Sequence, residues 1–78
     1  MMTLWQVKAK QHAQIAGIDL MLNPAVISRL QEMGFIAGQL IQCLRRSPLN
    51  GPLVLQIGDS VFSLEQKVAE KVRVLAFS

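Results

Sequence analysis

The chain has no tyrosine, one tryptophan, one cysteine and one histidine, and five carboxylate side chains among its 78 residues. Each scarcity closes off a class of function. A single cysteine, Cys43, cannot form an internal disulfide, and with His12 as the lone histidine it cannot build a Cys/His zinc site. With only Trp5, Phe35, Phe62 and Phe77 as aromatics, the chain lacks the shelves that grip proline-rich peptides. Asp19, Glu32, Asp59 and Glu65 fall at turns or on polar faces, with no spacing that pairs a general acid with a general base, and no serine is set beside His12. His12 reads as an exposed strand residue. Asn50-Gly51-Pro52 sits in a hairpin and is not followed by the helix start that a phosphate loop requires. An enzyme is not expected, nor is a cofactor or metal. The apolar runs are far shorter than the roughly 20 residues of a membrane-spanning helix, and the N-terminal stretch lacks the basic-then-apolar layout of a signal peptide. A cytoplasmic protein is the expectation.

What is present is enough apolar material to fold. Hydrophobic residues make up 51% of the chain, too many for disorder, and the length allows one domain with one core over 1–78. Eight Lys/Arg against five Asp/Glu give a net charge of +3, scattered rather than clustered, which falls short of a nucleic-acid footprint. The adjacent pair Arg45-Arg46 is more in keeping with a solvated strand end than with a phosphate clamp.

Arg29 to Gly38 is the corner around which the rest is arranged. Asn23 supplies a side-chain oxygen for an unpaired backbone N–H, and Pro24 at the first helical position forgoes none that the helix needs, so a helix starts there. Val26, Ile27, Leu30 and Met33 share its apolar face, and Leu30 and Met33 are expected to hold it against the sheet. Gly34 ends it by entering the left-handed region, and Gly38 makes a second bend before the next strand.

Elsewhere the pattern is that of strands. A first strand lies between Gln11 and Asp19, preceded by a turn at Leu4 to Val7 in which Trp5 plugs the core edge or faces a partner. Gln39 to Arg46 puts Ile41 and Cys43 on one side and Leu40, Gln42 and Leu44 on the other. Leu40 and Leu44 are then either an exposed apolar patch or covered by a loop. Ser47 to Leu53 is a hairpin connection, and Leu53, Leu55 and Ile57 alternate in the clearest strand. Gly58-Asp59 reverses it into a strand whose core face is Phe62 and Leu64. Glu65 to Lys71 holds a short helical turn, and the strand from Val72 to Phe77 is expected to pair back on the first. The fold class is mainly β with one helix: a small SH3-like, partly open barrel of about five strands.

The combination Met33-Gly34-Phe35, Gly38, Ser47-Pro48-Leu49 and Gly51-Pro52, in that order, resembles the ferrous iron transport protein A (FeoA) family, over about Leu20 to Val74. Ala37 departs from the proline usual at the bend, and Glu65 from the basic residue that often follows the leucine. The resemblance implies a small cytoplasmic accessory protein of bacterial ferrous iron uptake. It would bind the cytosolic GTPase region of the FeoB membrane transporter, reaching the membrane through that partner only. The same fold is similar to the C-terminal domain of iron-dependent repressors, whose winged DNA-reading domain has no counterpart in this sequence. A docking surface is expected at Phe35, Ile36, Leu40, Leu44, Arg45 and Arg46. A nucleic-acid-binding small barrel and a homo-oligomer remain alternatives, separable from apolar docking by salt.

Overall fold

The ends of the main helix are fixed by single residues. In the computed structural model, which describes residues 2–77, the helix α1 spans Pro24–Glu32, and the Asn23 side chain accepts a bond from the Ala25 N–H at 2.8 Å. At the other end Gly34, with φ of +104°, lets its N–H donate to the Gln31 carbonyl (3.1 Å) and that of Phe35 to the Leu30 carbonyl (2.9 Å). This two-bond stop is the Schellman motif, and its hydrophobic partner pair is Leu30 and Phe35, both buried. A second turn follows, closed by the Gln39 N–H on the Ile36 carbonyl at 3.0 Å, with Gly38 at φ of +92°. A turn of this kind favours proline at its second position, where this chain has Ala37.

Among the described residues six antiparallel strands form one sheet: β1 (Met2–Thr3), β2 (His12–Ile18), β3 (Leu40–Arg46), β4 (Leu53–Ile57), β5 (Ser60–Leu64) and β6 (Val72–Phe77), in the order β1-β6-β2-β3-β4-β5. A 3-10 turn, Leu4–Gln6, leads out of β1, and a four-residue helix, α2 (Gln66–Ala69), joins β5 to β6. The expected pairing of the last strand with the strand at His12 holds, from His12↔Phe77 to Ile18↔Val72. The expectation of about five strands holds for β2 to β6, and Met2–Thr3 adds a two-residue edge pair to Val74 and Arg73. Two residues carry no periodicity, so composition and spacing could not disclose them. The sheet stays open, with β1 and β5 as its edges.

Inward positions of every long strand meet in one core: Ala13 and Ile15 from β2, Ile41 and Cys43 from β3, Leu53 and Leu55 from β4, Val72 and Val74 from β6. Leu30 and Phe35 close it from the helix side, and Leu4 and Val7 from the N-terminal turn. Phe35 lies against Phe62 with ring centroids 6.0 Å apart and planes tilted by 57°, a favourable edge-on aromatic contact.

Two irregularities re-aim side chains. In β2 the register shifts between Ile15 and Gly17, and the Arg73 guanidinium lies where a side chain at Gly17 would begin, 2.9 Å from that position. In β3 the register shifts between Cys43 and Arg45, so Leu44 is an extra residue opposite none on β4. Beyond this bulge Arg46 pairs with buried Leu53 and therefore faces the core side.

Gly34→Val should cost on the order of 1–2 kcal/mol, since a β-branched residue resists positive φ and its Cβ would also meet the Ile57 side chain at 3.4 Å. Denaturant midpoints of the two proteins measure this; equal midpoints would show that the helix ends by another route.

Candidate partner-docking surface

The structure separates the residues that the sequence reading grouped. Phe35 is buried, drawn inward by its place in the helix stop, and contributes only to the floor of a surface groove. Leu44 is half-buried at the bulge rather than standing out beside Leu40. Arg46 is committed to the fold: its Nη1 donates to the carbonyl oxygens of Trp5 (2.5 Å) and Val7 (2.8 Å), and its guanidinium lies 4.7 Å from the Trp5 ring centroid. Trp5 is accordingly a half-buried plug over the core edge, held by a cation on its face. Ile36, Leu40, Arg45 and the outer part of Arg46 remain exposed, and β3 places Leu40 and Arg45 toward opposite ends, roughly 17 Å apart at 3.3–3.4 Å per residue. They form separate parts of that surface rather than a contiguous apolar patch.

Ile36 instead belongs with residues that the sequence reading left out. Between Asp19 and Leu22 the chain makes a turn in which the Leu22 N–H donates to the Asp19 carbonyl at 3.1 Å and the Met21 N–H to Asp19 Oδ1 at 2.9 Å. The Asp side chain thus holds the turn from within. Leu20 and Met21 occupy its apex and are 84% and 89% exposed, while Leu22 packs against the core. Beside them runs a groove of about 200 Å³, lined by Ile18, Leu20, Ile27, Phe35, Ile36 and Ala37 together with Gly17 and the polar Gln31. Apolar residues flanking a turn-forming Asp and Asn, in Asp19-Leu20-Met21-Leu22-Asn23, were the sequence signal for this cluster. A turn apex cannot bury all three. Ile36 is 51% exposed at the groove and buried Phe35 forms part of its lining.

A larger cleft of about 350 Å³ opens between α1 and β5, lined by Val26, Leu30, Met33, Leu64 and Val68 together with the charged Arg29 and Glu65. Leu30 and Met33 hold the helix there, as their spacing predicted. On the outward sheet face Leu40 and Leu75 flank Gln14, and Phe77 and Gln42 flank His12. His12 is exposed on that face. Among the described residues no group of three or more His, Cys, Asp or Glu side chains is gathered, and no helix is long and apolar enough to cross a membrane.

The FeoA domain family matches residues 2–76 of the chain. The chain belongs to the FeoA family. Among solved structures it is similar to FeoA of Stenotrophomonas maltophilia in complex with zinc, at 32% identity and a TM-score of 0.83, covering 95% of this chain and 89% of that one. That protein is described as a prokaryotic SH3 domain protein and put forward as a bacterial ferrous iron transport activating factor. It is also similar to FeoA of Chlorobium tepidum, at 26% identity and a TM-score of 0.88, covering 99% and 71% of the two chains. ScaR with bound cadmium shares the fold at 21% identity and a TM-score of 0.82, with the match spanning 35% of that chain. No curated protein sequence matched. The SH3-like fold class and the family resemblance read from the motifs therefore hold, and FeoA is not a known enzyme family.

Arg46→Ala should destabilise the fold by about 2 kcal/mol, from two charge-assisted bonds and the contact with Trp5. A lowered denaturant midpoint with a red-shifted Trp5 emission is the expected record; an unchanged midpoint would return Arg46 to the free surface. Burial pushes the Cys43 thiol up, against the lowering effects of Arg46 and the backbone bond at Arg45. The fold thus favours the protonated thiol. Its contribution is complete below the unfolded thiol value of about 8.5 and is lost as pH rises from there through the higher folded value. Cys43→Ala should flatten this part of the alkaline decline in denaturant midpoint.

Proposed function

We propose that this FeoA-family chain is an accessory factor of bacterial ferrous iron uptake that docks on the cytosolic GTPase region of a FeoB-type membrane transporter and regulates iron(II) passage without catalysing a reaction. The observation that carries this reading is that Leu20 and Ile36 are left in water on a preformed groove, with exposed Met21 next to Leu20 at the turn apex. Folds of this size rest on about 4–12 kcal/mol, and burying one such side chain is worth roughly 1.5–3 kcal/mol. Three left exposed together are a large share of that margin, and a partner surface is what recovers it. The family match and the role put forward for the S. maltophilia protein support iron transport as the setting. Ile36 is the member of the docking set expected from sequence that lies at the centre of this surface. Leu40 extends the docking set on the sheet side, and Arg45, at the other end of β3, contributes by steering.

Ile36→Glu and Met21→Glu should each leave the circular dichroism spectrum intact while reducing affinity for the transporter's cytosolic region about tenfold or more. Arg45→Ala should weaken binding mainly at low salt. Folded variants with undiminished affinity would remove the groove from the proposal. A wild-type complex that dissolves steeply with salt and is captured by RNA or DNA would favour a nucleic-acid role instead.

A further inference from the structure

At the opposite end of β3 the hairpin into β4 breaks a local rule. Pro48 to Gly51 form its turn, closed by the Gly51 N–H on the Pro48 carbonyl at 3.1 Å, and the two central residues, Leu49 and Asn50, have φ of +58° and +59°. Asn-Gly is the usual solution for two successive positive φ values, and a branched apolar side chain at the first is strained. Leu49 is also 99% exposed, the most exposed large apolar residue described. It neither packs nor suits its backbone. Pro48 and Pro52, each with a fixed φ, bracket the turn that displays it, and at Gly51 a Cβ would meet the Ser47 side chain at 2.9 Å, so glycine is required there.

The end of the sheet from which this tip projects is basic along one side. Residues 1–18 contain Lys8 and Lys10 and no carboxylate, and residues 33–58 contain Arg45 and Arg46 and no carboxylate. The fold joins these two stretches: the Lys10 N–H donates to the Cys43 carbonyl at 2.6 Å, and Arg46 donates to the Val7 carbonyl next to Lys8. Lys8, Lys10 and Arg45 are exposed. Arg45 is four residues from Leu49, within about 14 Å along the chain. Glu65 shares a cleft with Pro52 at the hairpin base, so the collar is basic on the side of the Lys8–Lys10 loop and mixed on the side of β5.

We propose that the β3–β4 hairpin is a direct membrane contact, with Leu49 entering the headgroup boundary of an anionic bilayer and Lys8, Lys10 and Arg45 meeting the lipid phosphates. A protein interface asks for a matching pocket and an apolar surround, which a single leucine on a stiff polar turn does not bring. A bilayer asks only for apolar depth beside positive charge. This contact does not depend on the transporter; it shares Arg45 with the steering charge of the docking set, while Leu49 belongs to it alone.

The test is cosedimentation of the whole chain with vesicles of phosphatidylcholine plus phosphatidylglycerol, and with phosphatidylcholine alone. The chain should partition onto the anionic vesicles and be released by salt. Leu49→Asp should lower the partition coefficient about tenfold or more, and Arg45→Ala about fivefold at low salt. Leu49→Asn should raise the melting midpoint, because asparagine accepts the left-handed backbone, while losing vesicle binding. A wild-type chain that ignores anionic vesicles, or Leu49 variants that bind as well as wild type, would overturn the proposal. Binding seen only when the vesicles carry the transporter would also overturn it and assign the tip to a protein partner.

Discussion

The bond from the Phe35 N–H to the Leu30 carbonyl decides which residues of this small protein are inside and which are out. It ends α1, and Gly34 can make it because positive φ costs a glycine little. The same bond swings Phe35 under the helix to meet Phe62, which ties the helix end to the β4–β5 hairpin. Ile36, one residue on, is turned outward beside the Asp19–Leu22 turn. The groove that we assign to a protein partner is thus a by-product of stopping the helix. Its lining and the fold's aromatic core share one residue, so its shape cannot change without cost to stability.

β3 carries the other half of the design. Its first residue stands on the outward sheet face, and its last reaches across to the backbone of the N-terminal turn. The bulge at Leu44 makes the second arrangement available, since without an extra residue Arg46 would face the same way as Leu40 and Gln42. The basic residues of this end therefore divide their work. Arg46 holds Trp5 and Val7 in place, and the exposed cations beside it are free to meet anions.

Most of the fold was legible because its signals are local. Asn23-Pro24 and Gly34 bound the helix, Gly58-Asp59 set a two-residue hairpin, and alternation at Leu53, Leu55 and Ile57 marked a central strand, all of which appear where the spacing put them. The misplaced parts share a cause. A bulge adds one residue to a strand without changing its composition, so Arg45-Arg46 reads as a solvated strand end, which it is, while the clamp that Arg46 makes on Trp5 and Val7 leaves no sign in the spacing. Phe35 read as surface because it follows a helix stop, and only the Schellman geometry reveals that this position folds back. Leu20 and Met21 were passed over because a loop has no period against which an exposed apolar residue stands out. Leu49 was recognised as part of a motif, but its backbone angle, which makes its exposure informative, has no signature in the sequence.

The strand order has a consequence for the way the chain is made. β3, β4 and β5 are joined by short hairpins and β2 reaches β3 across the helix, so these four can pair in the order of synthesis, but β2 waits for β6, from His12 to Phe77, before its other edge is covered. Until then Ala13 and Ile15 lie on a strand whose free side presents unpaired amides, the kind of surface that recruits another strand. The last strand is the one that locks the sheet. Folding of this domain is therefore completed only after residues 72–77 have cleared the ribosome, and a nascent chain stalled before Val72 exposes a sticky edge to the cytosol or to chaperones.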